Sequence, residues 1–174
     1  YKSYTFMVEK LGFTTLTQRD SQQSGNMGLG GYDVGVTTEE MAAAYAAIAN
    51  DGVEMKPYLV DGVYNANGQR SFTAQPEKLR TSISADTAKR VREILKGVVK
   101  QGTGTAAQIN GVEVAGKTGT AEKANSNDSW FVGMAPADNA GVVVAVVIED
   151  GDEGVGTQKA HDILQTALEV QGLL

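Results

Sequence analysis

Apolar residues recur at helical spacing in four stretches of the chain and at strand spacing in several others. Thr37 and Glu40 form a capping box ahead of Met41, Ala44, Tyr45 and Ile48, which share one helix face, and Asn50-Asp51-Gly52 ends that helix. Ser84 caps a second helix with Asp86 in its first turn and an expected apolar face of Val91, Ile94, Leu95 and Val98. Lys96 and Lys100 suit the negative end of its dipole, and Gly102 stops it. A last helix opens near Thr157 and carries Ile163, Leu164, Ala167 and Leu168. Residues 1–12 read as the end of a further helix, with Phe6, Met7, Lys10 and Leu11 on one face and Gly12 as terminator. The Ser-, Gln-, Gly- and Asn-rich stretch 14–35 predicts a loop.

Between the first two capped helices, residues 53–81 alternate short β-like runs around Asn67-Gly68, which predicts a hairpin. Three strands are predicted over 112–121, 128–135 and 141–149. Asn125-Ser126-Asn127 and Asp138-Asn139 separate them, and connections that short imply antiparallel neighbours. Trp130 on the middle strand is expected in the core. The fold class that follows is α/β, an antiparallel sheet with three recognisable strands flanked by helices.

Composition narrows the chemistry. A chain of 174 residues suits one domain. Its net charge of −6 comes with basic residues scattered rather than clustered, which argues against a nucleic-acid partner. With no cysteine there is no disulfide, thiolate metal site or cysteine nucleophile. A single histidine, His161, argues against a histidine metal site or a Ser-His-Asp triad and reads as a solvated or capping residue. Asp150, Asp152 and Glu153, with two glycines among them, read as an acidic turn rather than a cation site. No metal and no cofactor is expected. The longest apolar run, Gly141 to Ile148, is too short to span a bilayer, and nothing near Tyr1 reads as a signal peptide. Tyr4, Phe6, Val8, Leu11 and Phe13 open the chain in mid-pattern, so we expect it to be cut from a larger protein.

Lys117-Thr118-Gly119-Thr120 is the segment that carries chemistry. A lysine is a compact positive charge for a carboxylate, and two threonine hydroxyls add hydrogen bonds. Gly119 lacks a Cβ, so a second backbone can approach the strand and pair with it. A Lys/Thr-rich strand edge that guards against aggregation is the plainer alternative for four such residues.

The surroundings carry more. Val114 to Glu122, then Ser129-Trp130-Phe131-Val132-Gly133-Met134-Ala135-Pro136-Ala137-Asp138, then Val142 to Glu149 resemble the last three strands of penicillin-binding transpeptidases, especially class B. Val36 to Ala42, Asn50-Asp51-Gly52, Met55 to Val60 and the turn Gly102-Thr103-Gly104-Thr105-Ala106-Ala107 resemble further parts of that family. The resemblance runs from about Met27 to the last helix, and it implies that residues 1–174 are the C-terminal part of one β-lactamase/D,D-transpeptidase-like domain.

The resemblance implies a substrate-binding wall of Lys117, Thr118, Gly119 and Thr120. Lys117 would support a positive field, and the Thr118 and Thr120 hydroxyls would hold the terminal carboxylate of a stem peptide or β-lactam. The Thr120 backbone N–H would supply half of an oxyanion hole, its catalytic part. No Ser-x-x-Lys occurs in the chain, so the nucleophile and its lysine are missing and the isolated chain is expected to be inactive. Ser24-Gly25-Asn26 matches the family's Ser-x-Asn element literally, but follows a helix end that the element should precede, so it reads as a loop coincidence. The implied activity is peptidoglycan D,D-transpeptidation through a serine acyl-enzyme, at the extracytoplasmic face of a bacterial membrane, with the anchor in a segment not present here. Its partners would be D-Ala-D-Ala stem peptides and β-lactam antibiotics, and the incomplete sheet suggests self-association. The rival readings are a D,D-carboxypeptidase or β-lactamase-type hydrolase and a non-catalytic interaction module.

Overall fold

The structure, a computed structural model, describes residues 35–174. The helix end expected over 1–12 and nearly all of the loop expected over 14–35 lie outside the described residues.

Helix α1 (Thr38–Ala49) opens on the expected capping box. Thr37 Oγ1 accepts from the Glu40 backbone N–H at 3.1 Å, and the Glu40 carboxylate accepts from the Thr37 N–H at 2.8 Å. Two donors that the first turn leaves unpaired are thus satisfied. The helix buries Ala44, Ala47 and Ile48, while Tyr45 is half-buried with its hydroxyl pushed up to about 12 by desolvation. At its end Gly52 has φ +84, and a Cβ there would stand 2.0 Å from the Ile83 carbonyl oxygen, so only glycine fits.

The stretch 53–81 forms two antiparallel pairs. β1 (Val53–Met55) pairs with β4 (Lys78–Thr81), and β2 (Gly62–Tyr64) pairs with β3 (Arg70–Thr73) around the expected turn. Asn65 shapes that turn, its side-chain oxygen accepting from the N–H groups of Asn67 and Gln69, each at 3.0 Å.

Helix α2 (Ala85–Gln101) is capped by Ser84, whose Oγ accepts from the Thr87 N–H at 3.1 Å. Its buried stripe is Ala88, Arg92, Leu95 and Val99, which corrects the expected face. Ile94 is 69% exposed, because it lies about 100° around the helix from Leu95. Arg92 is buried instead, its guanidinium donating to the Ile48 carbonyl at 2.7 Å and to Asp51 at 2.9 Å, which joins α2 to the end of α1. Lys96 is likewise more than a dipole partner. Its ammonium sits among Asp138, Glu93 and Glu113, and the hydrogen bond to Asp138 raises it above the usual lysine range.

A short 3-10 turn (Thr105–Ala107) leads to the main sheet, β5 (Ala115–Glu122), β6 (Asn127–Ala135) and β7 (Val142–Ile148), in that order and antiparallel throughout. The first strand begins later than expected: Val112 bridges to Ile109, and Val114 is buried in the core just ahead of β5. Helix α3 (Val155–Val170) closes the chain and buries Thr157, Ala160, Leu164 and Leu168, leaving Ile163 half exposed.

The sheet has helices on both faces. Toward α3, Phe131, Ala135, Val144 and Val146 pack with Ala160, Leu164 and Leu168. Toward α1 and α2, Ala115 and Met134 pack with Ile48 and Leu95. Full burial of the Phe, Met, Val, Leu and Ile side chains among them contributes about 1.5–3 kcal/mol each, so these two clusters hold the helices to the sheet. Trp130 is the correction here. It is only half-buried, while its neighbour Phe131 is fully enclosed. Alternation puts the two on opposite faces, and α1 and α2 gather over Ala115 and Met134, four residues further along β6.

Candidate functional site

β5 lies at one side of the sheet, with β6 as its one strand neighbour among the described residues. All four candidate residues sit in its central portion, paired as Lys117 with Val132, Thr118 with Phe131, Gly119 with Trp130 and Thr120 with Ser129. Directly opposed residues share a face. Thr118 and Thr120 therefore lie on the α3 face and Lys117 and Gly119 on the other. The two hydroxyl-bearing residues are brought together as expected, and the lysine flanks the same strand from its opposite face.

Two glycines place this strand. A Cβ on Gly116 would stand 2.4 Å from Phe131 Cζ, and one on Gly133 would stand 2.7 Å from Phe131 Cε1. The Phe131 ring thus lies flat across β5 and β6 immediately before Lys117. At Gly119 a Cβ would come within 3.1 Å of Trp130 Cβ, a tight fit rather than an open edge. Beyond Thr120, the buried Ser129 fixes the sheet against α3 by accepting from the Gly156 N–H at 3.1 Å.

Lys117 is exposed and takes no part in an ion pair among the described residues; its ammonium donates to the Thr118 carbonyl at 2.9 Å. Such a contact is one that a carboxylate displaces readily, because a charge-assisted partner is the stronger one. Lys96 and Lys123, by contrast, are each held by acidic side chains. Thr120 is exposed, and Thr118 is half-buried beneath a neighbour, with Thr103 Oγ1 2.6 Å from Thr118 Oγ1.

The turn after β5 is fastened separately. Lys123 pairs with Asp128 and Asp150, Ser126 donates to Asp150 at 2.6 Å, and the Asp150 N–H donates to Asp128 at 3.1 Å. Asp150, read from the sequence as part of an acidic turn, is thus a tie between the β5–β6 turn and the end of β7. His161 Nδ1 lies 3.3 Å from Asp162 Oδ1. No cluster of three or more metal-ligating side chains occurs among the described residues.

The penicillin binding protein transpeptidase domain matches residues 7–169. The chain belongs to this family. Peptidoglycan D,D-transpeptidase PbpA of Mycolicibacterium smegmatis is 34% identical over 139 residues, covering 77% of this chain. Among solved structures, the D,D-transpeptidase domain of a peptidoglycan glycosyltransferase from Eggerthella lenta is 68% identical over 80% of this chain and 33% of its own, with a TM-score of 0.77. Penicillin-binding protein A from Mycobacterium tuberculosis, as its imipenem acyl-enzyme complex, is 27% identical over 97% of this chain and 43% of its own, with a TM-score of 0.84. The chain spans 28% of the length of the M. smegmatis protein. Within the transpeptidase family the α/β architecture with an antiparallel sheet is thus the established frame for β5.

Sequence reading missed two features of the site. The Gly102–Ala107 turn stood out as a family resemblance without a contact, since nothing in the spacing says that Thr103 meets Thr118 fifteen positions away. The support of β5 by Phe131 was missed because Trp130 drew the expectation of burial; the paired glycines that its ring crosses, Gly116 and Gly133, were the available signal.

Proposed function

We propose that this chain forms the Lys-Thr-Gly wall of the acylation cleft of a peptidoglycan D,D-transpeptidase. The observation that carries the reading is a strand with one neighbour among the described residues, bearing an exposed lysine that forms no ion pair among them, beside two threonine hydroxyls. Such an edge suits an extended peptide that ends in a carboxylate. Lys117 supplies positive field, Thr118 and Thr120 hydroxyls hold the carboxylate, and Gly119 leaves the opposite face of the strand without a side chain next to Lys117. The Thr120 N–H donates to the oxyanion, a contribution that typically lowers such barriers by about 2.7–4 kcal/mol.

The nucleophile belongs to a Ser-x-x-Lys element, which these 174 residues do not contain. In this reading its oxygen attacks the carbonyl of the penultimate D-Ala, the C–N bond breaks, and the terminal D-Ala leaves with the proton. An acceptor amine then takes the acyl group and releases the serine. The same wall would receive β-lactams, whose acyl-enzyme complexes are known for penicillin-binding protein A of M. tuberculosis with imipenem and with penicillin G. The working location in this reading is the extracytoplasmic face of a bacterial membrane. Among the described residues no helix is long and apolar enough to cross a membrane.

Two measurements test this. Fluorescent penicillin should label the full-length protein covalently and leave the 174-residue chain unlabelled. Denaturation-resistant fluorescence mapping to a serine of the short chain, Ser24 first, would overturn the assignment of the nucleophile. Stem peptide offered with an amine acceptor should give cross-linked product; release to water alone would favour the hydrolase instead. Absence of labelling in the full-length protein would favour a non-catalytic module.

A further inference from the structure

Thr103 stands between two glycines at the end of α2, in a turn with little freedom. The N–H groups of Gly102 and Gly104 both donate to the Val98 carbonyl, at 3.1 and 3.0 Å. A Cβ on Gly102 would come within 2.9 Å of that oxygen, and one on Gly104 within 3.3 Å. Gln108 then folds back, its amide donating to the carbonyls of Val99 and Lys100 at 2.9 and 3.0 Å. The turn is therefore pinned to the helix on both sides of Thr103. What it presents to the edge strand is the exposed Thr103 hydroxyl, 2.6 Å from Thr118 Oγ1.

The direction of that hydrogen bond matters. A threonine hydroxyl has one proton and two lone pairs, whereas a carboxylate only accepts. If Thr118 gave its proton to Thr103, it would face an incoming carboxylate with a lone pair. If Thr103 is the donor, the Thr118 proton is left for the ligand, and the chain of two hydroxyls strengthens the outer bond cooperatively. A bound carboxylate selects the second arrangement.

We infer that Thr103 is a positioning residue of the anion site, donating to Thr118 so that Thr118 donates to the ligand carboxylate. This deepens the reading of Thr118 as a carboxylate-binding hydroxyl and rests on it. Thr103 acts through Thr118 and does not itself touch the ligand.

The test compares Thr103→Val and Thr103→Ser in the full-length protein. With a carboxylate-bearing penicillin, Thr103→Val should lower the second-order acylation rate about three- to tenfold, the value of one neutral hydrogen bond. The loss should fall on the saturation constant and not on the limiting acylation rate. Thr103→Ser keeps the hydroxyl and should restore the rate to within about twofold. The penicillin methyl ester should show no comparable loss, and in a Thr118→Val background Thr103→Val should have no further effect. Melting temperatures of the variants within a degree or so of the parent show that the turn is intact. An equal loss for the ester, an equal loss in the Thr118→Val background, or a serine variant as impaired as valine would each overturn the inference. Failure of the unsubstituted protein to react at all is a different result and sinks the transpeptidase reading beneath it.

Discussion

At the scale of single residues, the site rests on which charges are already spent. Among the described residues Lys117 donates to a neighbouring carbonyl and joins no ion pair, whereas Lys96 is surrounded by three carboxylates and Arg92 is buried against Asp51 and the Ile48 carbonyl. A charge held that loosely is available to a ligand. Lys117→Ala in the full-length protein should slow acylation by carboxylate-bearing ligands roughly ten- to a hundredfold, as loss of a charge-assisted hydrogen bond of about 1.5–3 kcal/mol requires. A carboxylate-blocked analogue should lose much less. Equal losses measured for the two ligands would assign Lys117 to positioning the catalytic groups. The resemblance of the surrounding strands is what singled out Lys117 to Thr120, since residue types alone suit a guarded strand edge as well. They could not rank Trp130 against Phe131. Alternation says that the two face opposite ways, but not how far along each face the helices reach.

The elements show how the edge strand is held in place. β5 carries glycine at position 116 because the Phe131 ring crosses there, and a Cβ at Gly116 would also meet the Val132 carbonyl at 2.9 Å. Gly116→Ala should therefore overpack the sheet by about 1–3 kcal/mol, lowering the melting temperature of the chain by roughly 2–12 °C. Gly119→Ala, whose Cβ meets a half-buried side chain at 3.1 Å, should cost clearly less; equal losses in thermal scans would refute this account of the two glycines.

The turn beyond β5 adds a pH dependence. Hydrogen bonds from Ser126 and then Lys123 hold the Asp150 carboxyl below its ordinary value, and Lys123 and then the Asp150 N–H do the same for Asp128. Both groups are depressed, so their stabilisation is present above the ordinary carboxylate value of 3.8 and fades as pH falls through the lower folded values. Lys123 is raised by the same partners, so its share is lost only on the alkaline side, above 10.5. The melting temperature of Asp150→Asn should lie below that of the parent at neutral pH and converge with it in strong acid. A gap that persists there would mean that Asp150 acts through something other than its charge. Capping boxes and turn residues made the helices and the hairpin legible. The Lys123–Asp128–Asp150 network was not, because it joins a turn to the end of a strand that only the folded register brings near.

For the whole molecule, the open question is what finishes the sheet. β7, like β5, has one strand neighbour among the described residues, and β7 is the most apolar strand of the three. Its Val143, Ala145 and Val147 share the face toward α1, yet all three are only partly buried. An apolar groove of ≈ 910 Å³ reaches Ala145 between α1, the segment from Lys56 to Val60, and Phe72 of β3. Around it Leu59 is fully exposed, and Tyr58, Val60 and Phe72 are each about half exposed. Apolar surface of this extent, beside a strand edge with no partner among the described residues, tends to recruit another chain. Sequence patterning could identify each strand but not this deficit, because alternation describes a strand's faces and is silent about its edges. The 174-residue chain should therefore self-associate, by edge pairing or by exchange of a segment between copies. Sedimentation velocity across a range of concentrations should show a mass that rises with concentration, and a hydrophobic dye should bind the chain at the lowest of them. A monomer at every concentration with no dye bound would sink the prediction, since it requires that the chain's remaining residues close over β7 and the groove without help from another molecule.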